Sequence, residues 1–211
     1  MRVGIIGYGV LGRQIRNFLS EREDRDLNIV LFDDFFVNDQ NTQTYPFENI
    51  FLDEFSDLEF YLGIGYKHLE IRHNLIKKLK SAGRKVNSLI HNKSYISPSA
   101  KIGDGCILFP GANIDQNVRI DDGCILHNGV IISHNSSIGE CCYFSPNTVL
   151  SGDVTVGKFC FFGTGCLVSN SVTIGSNVKA GIGSVITNNT ESGLSVIGNP
   201  ARVLSAELKI K

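Results

Sequence analysis

Apolar residues recur at every sixth position from Ile96 to Ile186, without a single slip of phase. A small residue follows four places later in almost every hexad, and three of the five prolines occupy the third position. The fourth position is mostly Gly or Asn, the residues that best tolerate the positive φ of a type II turn. Each hexad therefore predicts one short strand and one turn. Three hexads would close one coil of a triangular parallel β-helix with coils ~4.8 Å apart, and residues 96–185 hold fifteen hexads, or five coils.

The first ninety residues follow a different pattern, in which strand-like and helix-like runs alternate. The strand-like runs read RVGII, NIVLF, EFYLGIG and VNSLI. Leu11, Ile15 and Leu19 mark a first helix, and Leu75 and Leu79 lie on a second. This order predicts a small α/β domain with a parallel sheet, a Rossmann-like half of a full dinucleotide-binding fold.

The change of period divides the chain into an α/β domain at 1–90, a parallel β-helix at 91–187 and a C-terminal tail at 188–211. Hydrophobic residues make up 42% of the chain, which is enough for a packed core. The net charge of −1 gives no general attraction to nucleic acid. No apolar run approaches the about 20 residues of a membrane span, and no secretory signal is expected. We therefore predict neither nucleic-acid binding nor membrane insertion.

Glycines at positions 7, 9 and 12 spell the G-x-G-x-x-G fingerprint between the first strand and the first helix. Such a turn lets a backbone approach a phosphate or ribose, and the helix dipole favours the negative charge. A single mononucleotide-sized unit has no second half to hold a nicotinamide. A nucleotide without nicotinamide is therefore the favoured ligand, and a tight turn with no ligand is the alternative.

Four of the six cysteines, Cys106, Cys124, Cys142 and Cys160, follow one another at intervals of three hexads, the length of one predicted coil. This spacing stacks them in one inward column, where a thiol serves as a small hydrophobic side chain. We expect reduced thiols in a cytoplasmic protein rather than disulfides or metal ligands.

Two of the three outward-facing columns of the predicted prism are apolar. They read Ile107, Ile125, Tyr143, Phe161 and Ile131, Val149, Leu167, Val185, whereas the third column is polar. A monomer rarely exposes two apolar stripes, and a cyclic homotrimer would bury both of them.

Uninterrupted hexads of this kind resemble the left-handed β-helix acyltransferases. The α/β domain, the segments LIH and ISPSA before the coils and the tail VIGNPARVL resemble one branch more closely. That branch is the hexapeptide-repeat family of bacterial nucleotide-linked amino-sugar N-acetyltransferases (PglD/NeuD type).

The resemblance implies an enzyme of bacterial glycan biosynthesis that transfers an acetyl group from acetyl-CoA to a UDP- or dTDP-linked 4-amino-deoxy sugar. A sialic-acid-type sugar O-acetyltransferase is one alternative. A non-catalytic trimeric nucleotide-binding scaffold is the alternative from another class.

The resemblance places the nucleotide-sugar on the N-terminal domain. The residues implied for it are Gly9, Val10, Leu11, Asp33, Asp34 and Gly65. Leu11 stands where the family commonly has a histidine. A solvated strand end is the alternative interpretation of the two aspartates.

Proton transfer from a sugar amine at neutral pH suits a histidine. His134, in the run ISHNSSIGE, aligns with the catalytic base of the family. The family usually has an acid directly after this histidine, where this chain has Asn135, a residue that also suits the turn. His127 is either a second residue of a neighbouring subunit's site or a buried interface residue.

The other histidines receive structural interpretations: His68 and His73 on the surface, and His91 at the junction before the coils. His127 and His134, seven positions apart, resemble part of a hexapeptide-repeat zinc site. The third histidine that such a site needs is not found elsewhere in the coils, and no metal is predicted.

For acetyl-CoA, the resemblance implies Thr164 and Ile182, and Tyr143 stands where a relative's histidine meets the cofactor. Gly152 lies one coil beyond His134 (134 + 18 = 152). We expect it to leave room for the thioester arm and to offer its N–H to the oxyanion.

Overall fold

The computed structural model describes residues 2–21, 27–35, 43–204 and 208. The chain divides into two compact units, Met1–Leu89 and Ile90–Lys211. No helix in the described segments is long and apolar enough to cross a membrane.

The first unit contains a parallel five-stranded sheet in the order β3-β2-β1-β4-β5. Its strands are β1 (Arg2–Ile6), β2 (Asn28–Phe32), β3 (Thr44–Tyr45), β4 (Glu59–Leu62) and β5 (Lys85–Val86). Its helices are α1 (Val10–Ser20) and α2 (Leu69–Ser81), with short 3₁₀ helices at Phe47–Phe51, Asp53–Phe55 and Tyr66–His68. The strand order turns back beside β1, as in open doubly wound sheets, which bind ligands at such a point.

Two glycines allow α1 to approach the sheet closely. A Cβ atom added at Gly12 or at Gly63 would collide with the carbonyl oxygen of Gly7. Gly7 itself has a φ of 84°, in the left-handed region that favours glycine. The folding of the unit by itself therefore accounts for the first and third glycines of the fingerprint.

The predicted strands of this unit match the structure in part. RVGII and NIVLF are strands over their whole length, whereas EFYLGIG is a strand only over Glu59–Leu62. The prediction of VNSLI as one strand is wrong, because the pairing ends after β5 and resumes in β6 (Leu89–Ile90), which joins another sheet. The pattern also missed the short strand β3.

The second unit is a three-faced prism of short strands, in which each strand pairs in parallel with its counterpart one coil further on. The first face consists of β7 (Tyr95–Ile96), β10 (Asn113–Ile114), β13 (Ile131–Ile132), β16 (Val149–Leu150), β19 (Leu167–Val168) and β22 (Val185–Ile186). The second consists of β8 (Lys101–Ile102), β11 (Arg119–Ile120), β14 (Ser137–Ile138), β17 (Thr155–Val156) and β20 (Thr173–Ile174).

The third face begins at β6 and consists further of β9 (Ile107–Leu108), β12 (Ile125–Leu126), β15 (Tyr143–Phe144), β18 (Phe161–Phe162), β21 (Lys179–Ala180), β23 (Ser195–Ile197) and β24 (Arg202–Val203). Part of the predicted tail therefore extends this face, with β24 antiparallel to β23. The predicted parallel β-helix is confirmed, and the arrangement fits the left-handed form that the resemblance implies.

The corners of the prism have the predicted turn geometry. Every sixth residue from Gly105 to Gly183 has a positive φ. The non-glycine residues in this set are Asn117, Asn135, Cys141, Asn147, Asp153, Phe159, Ser171 and Asn177. The strict hexad phase follows from this requirement, since one inserted residue would move both the turn and the inward side chain.

The cysteine column lies in the interior, as predicted, and all six cysteines are buried and form no disulfide. Cys106, Cys124, Cys142 and Cys160 each place Sγ 3.0–3.2 Å from a backbone carbonyl oxygen of the next coil. Burial raises the pKa of Cys124 and Cys142 well above the ordinary value, and that of Cys166 to about 12. A protonated thiol at these positions can donate to the carbonyl.

The two apolar columns differ in exposure. Ile107 and Ile125 on the third face are 2% and 0% exposed within the single chain, so the expectation that this column lies open is wrong for them. Ile131 and Leu167 on the first face are 38% and 44% exposed. The first face is therefore the apolar stripe that a single chain leaves uncovered.

The buried thiols predict a distinct pattern of chemical reactivity. In the native protein, a thiol reagent at pH 8 should modify the cysteines slowly, since all six are buried. After denaturation under non-oxidising conditions, all six should react at once. Rapid native modification of Cys124 or Cys142, identified by peptide mass spectrometry, would contradict the buried column.

Candidate active site

His134 lies at the corner that leads from the first face to the second. Its imidazole packs directly over Gly152, the residue one coil further on. A Cβ atom added at Gly152 would lie 2.6 Å from Nε2 and 3.0 Å from Nδ1 of His134. The glycine is therefore required by the histidine, which is 45% exposed at the surface of the prism.

The N–H of Gly152, predicted to face the oxyanion, already has a partner in the single chain. Its N–H donates a hydrogen bond of 2.9 Å to Oδ1 of Asn170, one coil beyond. The space that the missing side chain leaves is occupied by the imidazole rather than left open for a thioester. Gly152 instead fixes the position of His134.

A ladder of polar side chains runs beside the imidazole through successive coils. Asn117 Nδ2 donates to Asn135 Oδ1 over 3.2 Å, and Asn135 Nδ2 donates to Asp153 Oδ1 over 3.1 Å. Asn135 Nδ2 also lies 3.3 Å from Nδ1 of His134. Asn135 is therefore a turn residue, as predicted, and also a neighbour of the histidine.

Sequence reasoning missed Asp153. Its Oδ2 lies 3.9 Å from Nδ1 of His134, a distance that becomes an ion pair when the imidazole is protonated. The spacing of one full coil from Asn135 was the available signal, because residues one coil apart stack directly.

His127 lies at another corner, the one that leads from the third face to the first. Its ring stacks on Phe109 with a centroid distance of 4.1 Å and an interplanar angle of 17°. Its Nε2 lies 2.8 Å from the hydroxyl of Tyr143, whose ring stacks in turn on Phe161. Burial lowers the pKa of His127 to about 4, so the ring is neutral at pH 7 and belongs to an aromatic stack.

Thr164 and Ile182, implied for acetyl-CoA, are exposed and stack one above the other at the same corner as His127. Gly183 N–H donates to the carbonyl oxygen of Thr164 over 2.9 Å and fixes this part of the corner. The strands of the first face separate this corner from the one that carries His134. A single chain therefore places the residues predicted for the base and for acetyl-CoA on opposite edges of one face.

In the first unit, the aspartates after β2 bind the chain's own backbone. Asp33 accepts the N–H of Tyr8 over 2.6 Å and that of Phe35 over 2.8 Å, and Asp34 accepts the N–H of Phe47 over 2.8 Å. Asp33 thus ties the glycine turn to the end of β2. The two aspartates therefore have a structural role, whereas the alternative interpretation from the sequence treated them only as solvated residues at a strand end.

Gly9 and Gly65 differ from the other glycines near this turn. A Cβ atom at either position would meet nothing within 4 Å, and neither residue has a positive φ. Gly9 is the N-cap residue of α1, and the next residue, Val10, is 71% exposed. Leu11 follows and is partly exposed. The packing of the unit does not explain the two glycines, which leave open space at the N-terminus of α1 (Gly9) and at the start of the 3₁₀ helix Tyr66–His68 (Gly65).

The remaining histidines have structural environments. His91 is buried, and its Nδ1 accepts the N–H of Lys93 over 3.1 Å. His68 is exposed as predicted, but His73 is buried on α2, so the surface prediction is wrong for it. Among the described residues, no group of three or more His, Cys, Asp or Glu side chains could hold a metal ion.

Comparison with known proteins finds a family model for part of the chain. Residues 87–178 match the family model described as the GMPPB C-terminal domain. No curated protein matches the chain.

Solved structures match over nearly the whole length. The acetyltransferase domain of PglB from Neisseria gonorrhoeae FA1090, in complex with acetyl coenzyme A, is 26% identical with a TM-score of 0.88, covering 96% of this chain and 98% of that one. PerB from Caulobacter crescentus, in complex with CoA and GDP-perosamine, is 26% identical with a TM-score of 0.86, covering 97% and 98%. WeeI from Acinetobacter baumannii AYE shares the fold at 17% identity, with a TM-score of 0.73 and coverage of 97% and 100%.

The resemblance predicted from the sequence is thereby confirmed. The structural neighbours of this chain are hexapeptide-repeat nucleotide-sugar N-acetyltransferases, similar to it in both units.

The depressed pKa of His127 predicts an acid-dependent loss of stability. The folded state favours the neutral ring, so its contribution is complete above about pH 6.5 and is lost as the pH falls towards 4. His127→Phe keeps a ring on Phe109 and removes the titrating group. Between pH 6.5 and 4, the variant should lose less unfolding free energy than the wild type, by up to about 3 kcal/mol.

Urea unfolding at several pH values measures this difference. His68→Phe, at an exposed histidine, is the matched control and should keep the wild-type pH dependence. Equal acid dependence in His127→Phe and the wild type would contradict a buried neutral His127.

Proposed function

We propose that this protein is an acetyl-CoA-dependent N-acetyltransferase acting on a nucleotide-linked 4-amino-deoxy sugar. The match of both units, at nearly full coverage, to two acetyltransferase structures with bound acetyl-CoA or CoA carries the proposal. One of these also holds GDP-perosamine, a nucleotide-linked amino sugar. The exposed histidine that Gly152 positions provides a group suited to the required proton transfer.

In this proposal, His134 is the general base. The sugar amine attacks the thioester carbon, a C–N bond forms, and the C–S bond breaks with its electron pair leaving on the CoA sulfur. Nε2 of His134 accepts one amine proton, which then passes to the thiolate. The base needs Nε2 unprotonated before the reaction, so the proton of the neutral ring must lie on Nδ1.

The nucleotide-sugar would bind at the carboxyl ends of β1 and β2 in the first unit. Gly9, Val10 and Leu11 open α1 there, where backbone N–H groups and the helix dipole favour an anionic group. The unexplained glycines at 9 and 65 would allow close approach of the ligand. Besides accepting hydrogen bonds from the backbone, the Asp33 and Asp34 carboxylates would face the nucleobase of the nucleotide-sugar.

A homotrimer would complete the catalytic site. The uncovered first face would pack against the neighbouring prism, which brings the His134 corner of one subunit towards the corner of the other that holds Thr164 and Ile182. Acetyl-CoA would then bind between two subunits, near the Tyr143–His127 pair of the second. The buried free thiols suit a reducing compartment, and we propose a cytoplasmic location.

The role of His134 can be tested with UDP-, dTDP- and GDP-linked 4-amino sugars, by following the release of free CoA thiol. His134→Ala should lower kcat by roughly 10²–10⁴-fold on the best substrate, the usual loss for a general base. Acetyl-CoA binding, measured by calorimetry, should remain within a few-fold.

His68→Ala removes an exposed histidine outside the prism and should keep full activity. Wild-type turnover by His134→Ala would contradict its assignment as base. If no amino sugar is acetylated but a sugar hydroxyl is, the protein is an O-acetyltransferase instead.

The proposed trimer predicts a sharp effect of charge on the first face. Leu167→Glu places a carboxylate in the apolar stripe, so sedimentation should show monomers where the wild type sediments as a trimer. Leu167 is 44% exposed in the single chain, so each chain should remain folded by circular dichroism.

Thr155→Glu, on the polar second face, is the control and should leave the trimer intact. A wild-type protein that stays monomeric at micromolar concentration would overturn the proposed assembly. Loss of activity together with the trimer would support a site shared between subunits.

A further inference from the structure

We propose that Asp153 is the positioning carboxylate of His134, which acts from the next coil to hold the imidazole proton on Nδ1 and leave Nε2 free as the base. This inference rests on the proposed function, because it concerns how the same histidine accepts a proton. It assigns a role to a residue that neither the repeat pattern nor the family resemblance identified.

Two neighbours compete for Nδ1 of His134, and they favour opposite tautomers. Asn135 can donate an N–H to Nδ1 over 3.3 Å, which requires the ring proton to lie on Nε2. Asp153 can only accept, and its Oδ2 at 3.9 Å favours the proton on Nδ1. Only the second arrangement leaves Nε2 able to take a proton from a substrate amine.

The ladder fixes which end of the Asn135 amide faces the ring. Its Oδ1 accepts from Asn117 and its Nδ2 donates to Asp153. Because a carboxylate can only accept, the amide cannot turn without losing the hydrogen bond to Asp153. The oxygen of Asn135 therefore cannot serve as the acceptor for Nδ1–H. That acceptor has to come from another residue, and Asp153 supplies it.

The charge of Asp153 becomes important once the base has taken its proton. The imidazolium carries N–H groups at both nitrogens and can no longer accept from Asn135. Within the described part of the chain, Asp153 is the only acidic side chain within 4 Å of the imidazole nitrogens. On the preceding coil, Asp115 binds the N–H of Gln116 in its own turn over 2.7 Å.

The geometry allows the pair to close. The side chains of His134 and Asp153 are 45% and 52% exposed, so a small rotation can bring Oδ2 from 3.9 Å to hydrogen-bond distance. The backbones are already coupled, because Asp153 N–H donates to the carbonyl oxygen of His134 over 2.9 Å.

Asn and Asp can be exchanged in this ladder without disturbing the turns. Asn135 has a φ of 58° and Asp153 a φ of 60°, and these two residue types tolerate that region better than most others. Asp153→Asn and Asn135→Asp therefore change charge and hydrogen bonding while the coil keeps its shape. A melting temperature close to that of the wild type verifies this for each variant.

Asp153→Asn should lower kcat/KM by at least roughly tenfold. Losing a group that orients a histidine costs about 10–100-fold at metal sites and about 10⁴-fold in a serine-protease triad. The limb of the pH–rate profile that rises as the base loses its proton should move to lower pH, because the imidazolium has lost its stabilising charge. A role confined to the stability of the turn would not move that limb.

The decisive variant exchanges the two side chains. Asn135→Asp combined with Asp153→Asn returns a carboxylate beside Nδ1 and should restore kcat/KM to within a few-fold of the wild type, together with the pH profile. Asn177→Asp, at the same hexad position of another corner, and Glu191→Gln, an exposed charge in the tail, are the matched controls and should leave both unchanged.

Nitrogen-15 NMR of the imidazole provides a readout that needs no substrate. The wild type should show His134 with the proton on Nδ1, and Asp153→Asn should move it to Nε2. If Asp153→Asn keeps the wild-type tautomer, or keeps the wild-type kcat/KM and pH profile, the inference is wrong. Failure of the proposed function has a different signature, full activity of His134→Ala or no acetyl transfer at all, and NMR then still decides the role of Asp153.

Discussion

The stacking of one coil on the next, in a fixed register of three hexads, determines nearly every other feature of the prism. Asn113 pairs with Ile131 and Arg119 with Ser137, and the same spacing continues from coil to coil. The register is kept only if each corner turns in the same number of residues. This requirement explains why the fourth residue of each hexad from Gly105 to Gly183 has a positive φ. Backbone geometry therefore restricts the corner residues before any demand of chemistry.

The same register explains how the prism builds a site from residues far apart in sequence. Each side chain has a vertical neighbour one coil away, so functional groups occur in columns. His134 rests on Gly152, whose N–H binds Asn170, and beside them Asn135 binds Asp153. A glycine or an aspartate in such a column acts on the side chain one coil away rather than on its neighbours in sequence.

The sequence predicted those features that a strict period encodes, namely the coils, the turns and the cysteine column. It did not predict features that depend on unique contacts. Ile107 and Ile125 occupy outward positions and are nevertheless buried. His73 is also buried, although the sequence predicted it on the surface of its helix. The sequence did not single out Asp153 because it is nineteen positions from His134 (153 − 134 = 19), although the coil places the two side by side.

The position of the candidate site relative to the faces would link the proposed chemistry to the proposed assembly. His134 lies at one edge of the first face, and Thr164 and Ile182 lie at the other, with exposed apolar strands between them. In the proposed trimer, the first face of one prism packs against the neighbouring prism. The His134 edge of one subunit would then lie near the Thr164 and Ile182 edge of the next. The same contact would stabilise the assembly and bring the proposed base close to acetyl-CoA. The ladder that orients His134, by contrast, lies within one chain. We therefore expect the tautomer of His134 to be a property of the single subunit, and the proposed acetyl transfer to be a property of the proposed trimer.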